Sequence, residues 1–142
     1  MNIELIEAKI REINESIDLL NKITEKNFDK LTIYERLSVR YLIIQAIEAS
    51  ASICMHILLK AFNERAEGYP QCFTRLGKKG VIPSELAEKL ASVTRLRNLL
   101  VHRYWEIDDW RVYKSVKKGL SDFNDFINYI RKFLEVGRYH EA

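Results

Sequence analysis

Glycine and proline are scarce in this sequence: 5 and 2 among 142 residues, less than half of the roughly 12% that the two types contribute to an average chain. Few tight turns are therefore encoded, which argues against a β-sandwich or barrel and for a few long helices. Cysteine is scarce as well. Cys54 and Cys72 are too few for a disulfide framework and lack zinc-ligand spacing, so reduced thiols of a cytoplasmic protein are expected. Of the three histidines, His140 sits near the C-terminal end, and His56 lies in an apolar stretch where packing or an interface suits it better than catalysis. No His-x-x-x-His pair or carboxylate cluster surrounds the third, His102, so neither a metal site nor a cofactor is expected. Residues 1–10 carry Glu4, Glu7 and Lys9 and do not resemble a secretion signal. The most apolar run, Tyr41 to Phe62, is interrupted by Gln45, Glu48, His56 and Lys60, which reads as too polar for a membrane span.

What is present fits one helical domain over residues 1–142. The chain is 47% hydrophobic and 30% charged, enough to bury a core and far from a disordered composition. Its net charge of +3 is unevenly spread: Arg75 to Lys118 holds 11 Lys/Arg against 5 Asp/Glu, and the remainder is net acidic. An anionic partner requires such a concentration, although on charge alone a solvated face explains it as simply.

Ile3, Ile6, Ile10, Ile13, Ile17 and Leu20 recur at helical spacing and predict a first helix over about residues 2–23. A polar loop, Thr24 to Leu31, follows. Thr32 and Glu35 fit a capping box, which starts a second helix near Ile33 that runs to about Arg65. Its middle is apolar on more than one face and needs cover on several sides, from other helices and from a second copy of the chain. Ala49, Ser50, Ala51 and Ser52 suit either close approach of that copy or ordinary core packing. Gly68 and Pro70 are expected to end this helix, and Gln71 to Gly77 to form a short helical turn. Gly77 and Gly80 flank Lys78-Lys79 but follow no strand, so they do not make a phosphate-binding loop. Pro83 starts a fourth helix with Leu86, Leu90, Val93, Leu96 and Leu100 on one face, ending near His102. After a connection at Trp105 to Asp109, Asp108 or Asp109 caps a fifth helix striped by Val112, Val116, Leu120, Phe123, Ile127, Ile130 and Leu134. The expected fold is all-α: an up-and-down bundle of four main helices plus a short one.

The segment Arg97-Asn98-Leu99-Leu100-Val101-His102-Arg103-Tyr104 closes the fourth helix inside the basic region. Arg97 borders the apolar stripe, where helix geometry alone suits a structural bridge to a carboxylate or a helix end. Arg97 and His102 are five residues apart, about 140° around an ideal helix, so they share a face only if the helix unwinds or the arginine reaches round. In extended backbone, Tyr104 would lie on the same side as His102. Asn98 is equally suited to orient an imidazole or phosphate and to sit as a polar residue near a helix end.

Arg97, Asn98 and His102 match the R-[polar]-x-x-x-H pattern of HEPN-domain ribonucleases, and the extension to Tyr104 resembles the R-x4-H-x-Y signature of HepT-like toxins of type VII HEPN/MNT toxin–antitoxin pairs. The similarity covers essentially the whole chain, including the long second helix and the Pro83 helix start. It implies a metal-independent endoribonuclease with its site at a dimer interface, Arg97 and His102 as catalytic residues and Asn98 in support. It also implies an MNT-type nucleotidyltransferase antitoxin that transfers AMP to Tyr104, in a homodimer or a larger hetero-oligomer. The chemistry is coherent: a histidine serves as acid or base near neutral pH, and a guanidinium forks onto phosphate oxygens. One chain offers one suitable histidine, and a two-fold dimer supplies two. Two other classes fit the same residues: a non-catalytic helical subunit that presents a partner or nucleotide to a nucleotidyltransferase, and a dimeric structural bundle with a chance motif.

Overall fold

Five α-helices follow one another in the computed structural model, which describes residues 1–141 and their side chains through Gly137. They are α1 (Ile3–Thr24), α2 (Ile33–Phe62), α3 (Tyr69–Lys78), α4 (Ser84–His102) and α5 (Asp109–Glu141), and no strand occurs among the described residues. Short 3-10 turns occupy Phe28–Lys30 and Tyr104–Glu106. The side chain of His140 lies outside the described residues.

α1 lies along α2, α3 packs on α4, and α5 closes against α1, α2 and α4. The stripes read from the sequence form this core: Ile6, Ile10, Ile13, Ile17 and Leu20 of α1 are buried, as is every stripe residue of α5 from Val112 to Leu134. Removing each such side chain from water contributes about 1.5–3 kcal/mol. On α4, Leu86, Leu90 and Leu100 are buried, while Val93 and Leu96 are partly covered. Edge-on contact between Phe73 and Phe126, 5.8 Å between centroids, locks α3 to α5.

The capping box of α2 forms as expected, with Thr32 accepting from the Glu35 backbone N–H and Glu35 accepting from that of Thr32. The end of α2 differs from expectation. Asn63 adopts a left-handed conformation (φ 53°), and the N–H of Glu64 returns to the carbonyl of Leu58, so the helix stops at Phe62 and not at Arg65. Gly68 and Pro70 play no part in that stop. Gly68 caps α3 and Pro70 lies in its first turn, where its missing N–H costs nothing. Gly77 lets α3 approach α4: a Cβ there would lie 2.8 Å from that of Ala87. Gly80 turns the chain out of α3 at φ +78°.

By length and composition alone α2 is long and apolar enough to cross a membrane, so its polar interruptions do not by themselves make it too polar for one, contrary to what the sequence led us to expect. In the fold, 61% of its apolar window is buried, which makes it the central helix of the bundle. Ala49, Ser50 and Ala51 are core residues. His56 is packed: its Nε2 accepts the backbone N–H of Asn2 at 2.9 Å, and burial, the positive chain terminus and Lys60 hold its pKa below the ordinary value. Cys54 and Cys72 are free, buried thiols, and burial together with the neighbouring Cys72 pushes Cys54 up, out of reach of ionisation.

Candidate active site

Arg97 projects from α4 toward α2 and α3. Its Nε–H donates to Oε1 of Glu48 at 2.5 Å, and Nη2 lies equally close to the same oxygen. Nη1 donates to Oδ1 of Asn98 at 3.0 Å. The other carboxylate oxygen of Glu48 accepts from the Tyr69 hydroxyl, and the Arg97 guanidinium sits 5.1 Å from the Tyr69 ring centroid. Burial, followed by the hydrogen bond to Glu48, raises the Tyr69 pKa, so the phenol stays a donor. Three of the five N–H donors of Arg97 are thus committed among the described residues, and two remain for a ligand. Because Arg97 and Glu48 keep 21% and 37% of their side-chain surface exposed, the ion pair is worth no more than about 1 kcal/mol, and its main effect is to fix the guanidinium in place. Beside the pair a cleft of about 530 Å³ opens at the start of α3, with Gly68, Gln71, Arg97 and Asn98 on its walls.

The bridge to a carboxylate that helix geometry suits at Arg97 is therefore formed. Glu48 and Tyr69 were not singled out from the sequence. Glu48 stands there as a polar break in an apolar helix, and a lone carboxylate in such a run is the signal that it has a cationic partner.

His102 is the last residue of α4, exposed, and without a side-chain hydrogen bond or ion pair among the described residues. The helix stays regular to its end, with the N–H of Arg103 bonded to the carbonyl of Leu99 at 2.8 Å, so it does not unwind to bring His102 beside Arg97. One chain holds the two on different faces.

Tyr104 opens the 3-10 turn Tyr104–Glu106, so the condition of extended backbone that would place it on the same side as His102 is not met. Its ring meets Trp105 edge-on at 5.3 Å, yet 63% of Tyr104 and 67% of Trp105 remain exposed. Arg40 of α2 anchors this turn, donating to Asp109 at 2.6 Å and to the Tyr104 carbonyl at 3.4 Å. The Asp108 carboxylate accepts from the N–H of Trp110, which fulfils the cap expected for α5. Among the described residues, no three His, Cys, Asp or Glu side chains gather as metal ligands.

Around these groups runs an unusual amount of exposed apolar surface. Tyr34, Leu37 and Tyr41 form one stripe on α2, which continues through Ile44 to Glu48. Leu99, Val101, Tyr104 and Trp105 surround the end of α4. The apolar middle of α2, where cover from a second copy was expected, is largely filled already. Ile43, Ile47, Ile53 and Leu58 are filled by the chain's own core, and Ile44 is only partly covered. The periodicity showed an apolar excess on α2, but not which part of it α1, α3 and α5 already cover.

The five-helix, all-α architecture is that of a HEPN-type domain, as in solved HEPN toxin structures. The chain belongs to the HepT-like ribonuclease family, whose model matches residues 9–130. It is 30% identical over 137 residues to the tRNA nuclease HepT of Aphanizomenon flos-aquae, covering 94% of this chain and 93% of that one. It is 29% identical over 93 residues to the mRNA nuclease HepT of Shewanella oneidensis, covering 63% of this chain and 70% of the relative. Among solved structures, it resembles the tri-AMPylated Shewanella oneidensis HEPN toxin in complex with its MNT antitoxin. The TM-score is 0.84 at 27% identity, over 93% of this chain and 99% of that one.

Proposed function

We propose that this chain is a metal-independent endoribonuclease toxin of the cytoplasm, with an active site shared between two copies and an MNT-type nucleotidyltransferase antitoxin that silences it by AMP transfer to Tyr104. The observation that carries this is the exposed His102, rimmed by uncovered apolar side chains at the end of α4. A histidine free of partners is available for proton transfer, and the apolar rim is what a second copy would cover.

In the proposed reaction, the 2′-hydroxyl of RNA attacks the adjacent phosphorus. The new O2′–P bond forms as the P–O5′ bond breaks, leaving a cyclic phosphate and a free 5′-hydroxyl. His102 of one copy takes the 2′ proton and His102 of the other protonates the departing 5′ oxygen. Arg97 faces the phosphate with its two uncommitted N–H donors, held by Glu48, and Asn98 fixes the orientation of Nη1.

The purified protein incubated with cellular RNA is expected to cleave it equally well with and without chelator. The Arg97–Glu48 bridge is the one observation that favours the alternative, a non-catalytic subunit that binds a nucleotidyltransferase, because it partly neutralises the arginine. Intact RNA after prolonged incubation at high enzyme concentration would establish that alternative.

Dimerisation is tested separately. Sedimentation is expected to give a mass near twice 16.8 kDa. Replacing Leu37 and Tyr41 with glutamate, both exposed on α2, is expected to yield folded monomers that no longer cut RNA. A parent monomer whose specific activity is constant on dilution would defeat the shared site.

A further inference from the structure

Away from the His102 rim, a groove of about 820 Å³ runs between the 3-10 turn Phe28–Lys30 and the first turns of α5. Its floor is aromatic: Phe28 lies 5.3 Å from Trp110 and 5.6 Å from Tyr113, and the Trp110 and Tyr113 rings are nearly parallel. The Tyr113 hydroxyl donates to the carbonyl of Lys26 at 2.6 Å, which holds the two walls together. Lys114, Lys117 and Lys118 line the groove from α5. Lys114 Nζ lies 5.0 Å from the Trp110 centroid and Lys117 Nζ 5.7 Å from that of Tyr113. Among the described residues none of these three lysines has a carboxylate partner, although Asp29 stands on the opposite wall. Trp110 keeps 45% of its surface exposed.

Three unpaired cations over an aromatic floor match one ligand chemistry: a single strand whose bases stack while its phosphates meet ammonium groups. A protein partner would have to place carboxylates against all three lysines as well as cover the aromatic floor, and a duplex presents no unstacked base. A short stretch of chain joins the groove to the His102 end of α4. Trp110 follows Tyr104 by six residues, and Arg40 ties the Tyr104 turn to Asp109 at the start of α5. From Trp110 to Lys118 the helix advances about 12 Å, room for a short run of nucleotides. We infer that this groove is a single-stranded RNA docking site that holds the substrate beside the cut. As a substrate site it rests on the ribonuclease reading, but its binding is measurable without cleavage.

A short 2′-O-methylated RNA, which lacks the attacking hydroxyl, serves as the probe. Trp110→Ala is expected to weaken its binding by about tenfold or more. Changing Lys114, Lys117 and Lys118 together to glutamine is expected to flatten the dependence of log affinity on log salt by about 2. These lysines are exposed, so the triple variant tests the groove even if Trp110→Ala misfolds. Parent-like affinity and salt slope in a folded triple variant would overturn the inference. Unchanged RNA affinity with lost binding to the nucleotidyltransferase would also overturn it, and make the groove a protein-docking surface. Cleavage is read in parallel with unmodified RNA. Groove-dependent binding by a protein that never cuts RNA would remove the ribonuclease reading and leave the groove standing.

Discussion

His102→Ala is expected to abolish RNA cleavage with no loss of helical signal. The side chain is exposed at the last position of α4 and holds nothing in place among the described residues, so its removal is worth within about 0.5 kcal/mol to the fold. Its proposed part in the reaction is twofold, because the same substitution deletes the base in one copy and the acid in the other. One positioned acid–base group contributes roughly 10²–10⁴ in rate, and a shared site loses two at once. Arg97→Ala is expected to cost roughly 10²–10³ by removing the phosphate contact. That variant also strands Glu48 beside Tyr69, so Arg97→Lys is the cleaner probe: it keeps the charge, loses the fork, and is expected to remain slow. A folded His102→Ala protein that cuts RNA at the parent rate would end the catalytic assignment.

Co-expression with the nucleotidyltransferase is expected to place AMP on Tyr104 and to silence the nuclease completely. In this step the Tyr104 phenol oxygen attacks the α-phosphorus of ATP, pyrophosphate leaves, and the phenol proton passes to a base. The hydroxyl belongs to a side chain that is 63% exposed on a short turn, so a second enzyme reaches it without unfolding the bundle. The added phosphodiester is expected to bring a negative charge close to Arg103, whose ion pair among the described residues is an exposed contact with Glu106 at 3.5 Å. Arg97, held by Glu48 on another face, is the less accessible partner for that charge. The adenosine is expected to cover surface around His102. Mass spectrometry of the co-expressed protein is expected to find AMP on Tyr104. Tyr104→Phe is expected to fold, to cut RNA and to escape silencing. Silencing of Tyr104→Phe by an active transferase, but not by one stripped of its magnesium ligands, would refute Tyr104 as the acceptor. Silencing by both would identify simple partner binding.

The helices were legible in the sequence because burial follows the helical period: the isoleucines of α1 and the mixed stripe of α5 each mark a single face. Local chemistry marked the Thr32–Glu35 box and the Asp108 cap for the same reason, since partners lie within three residues. The end of α2 was missed because a left-handed asparagine carries a weaker mark than the glycine and proline a few residues on. Long-range partnerships were invisible. Glu48 meets Arg97 across 49 residues, and Phe28 meets Trp110 across a still wider gap, so no spacing rule joins them. Likewise the apolar excess of α2 was plain, but only packing separates Ile47, which is core, from Tyr41, which faces outward.

The separation of Arg97 from His102 bears on how the toxin would harm a cell. A newly synthesised single chain carries its guanidinium, held by Glu48, on one face and its imidazole on another, and is harmless under a shared-site mechanism. While most chains are still single, the population of pairs grows as the square of their concentration. Doubling expression then quadruples the damage, and leaky transcription at a tenth of the lethal level delivers about a hundredth of the lethal activity. Toxicity would rise as a threshold in gene dosage, leaving time for the antitoxin to act on the few pairs that form first.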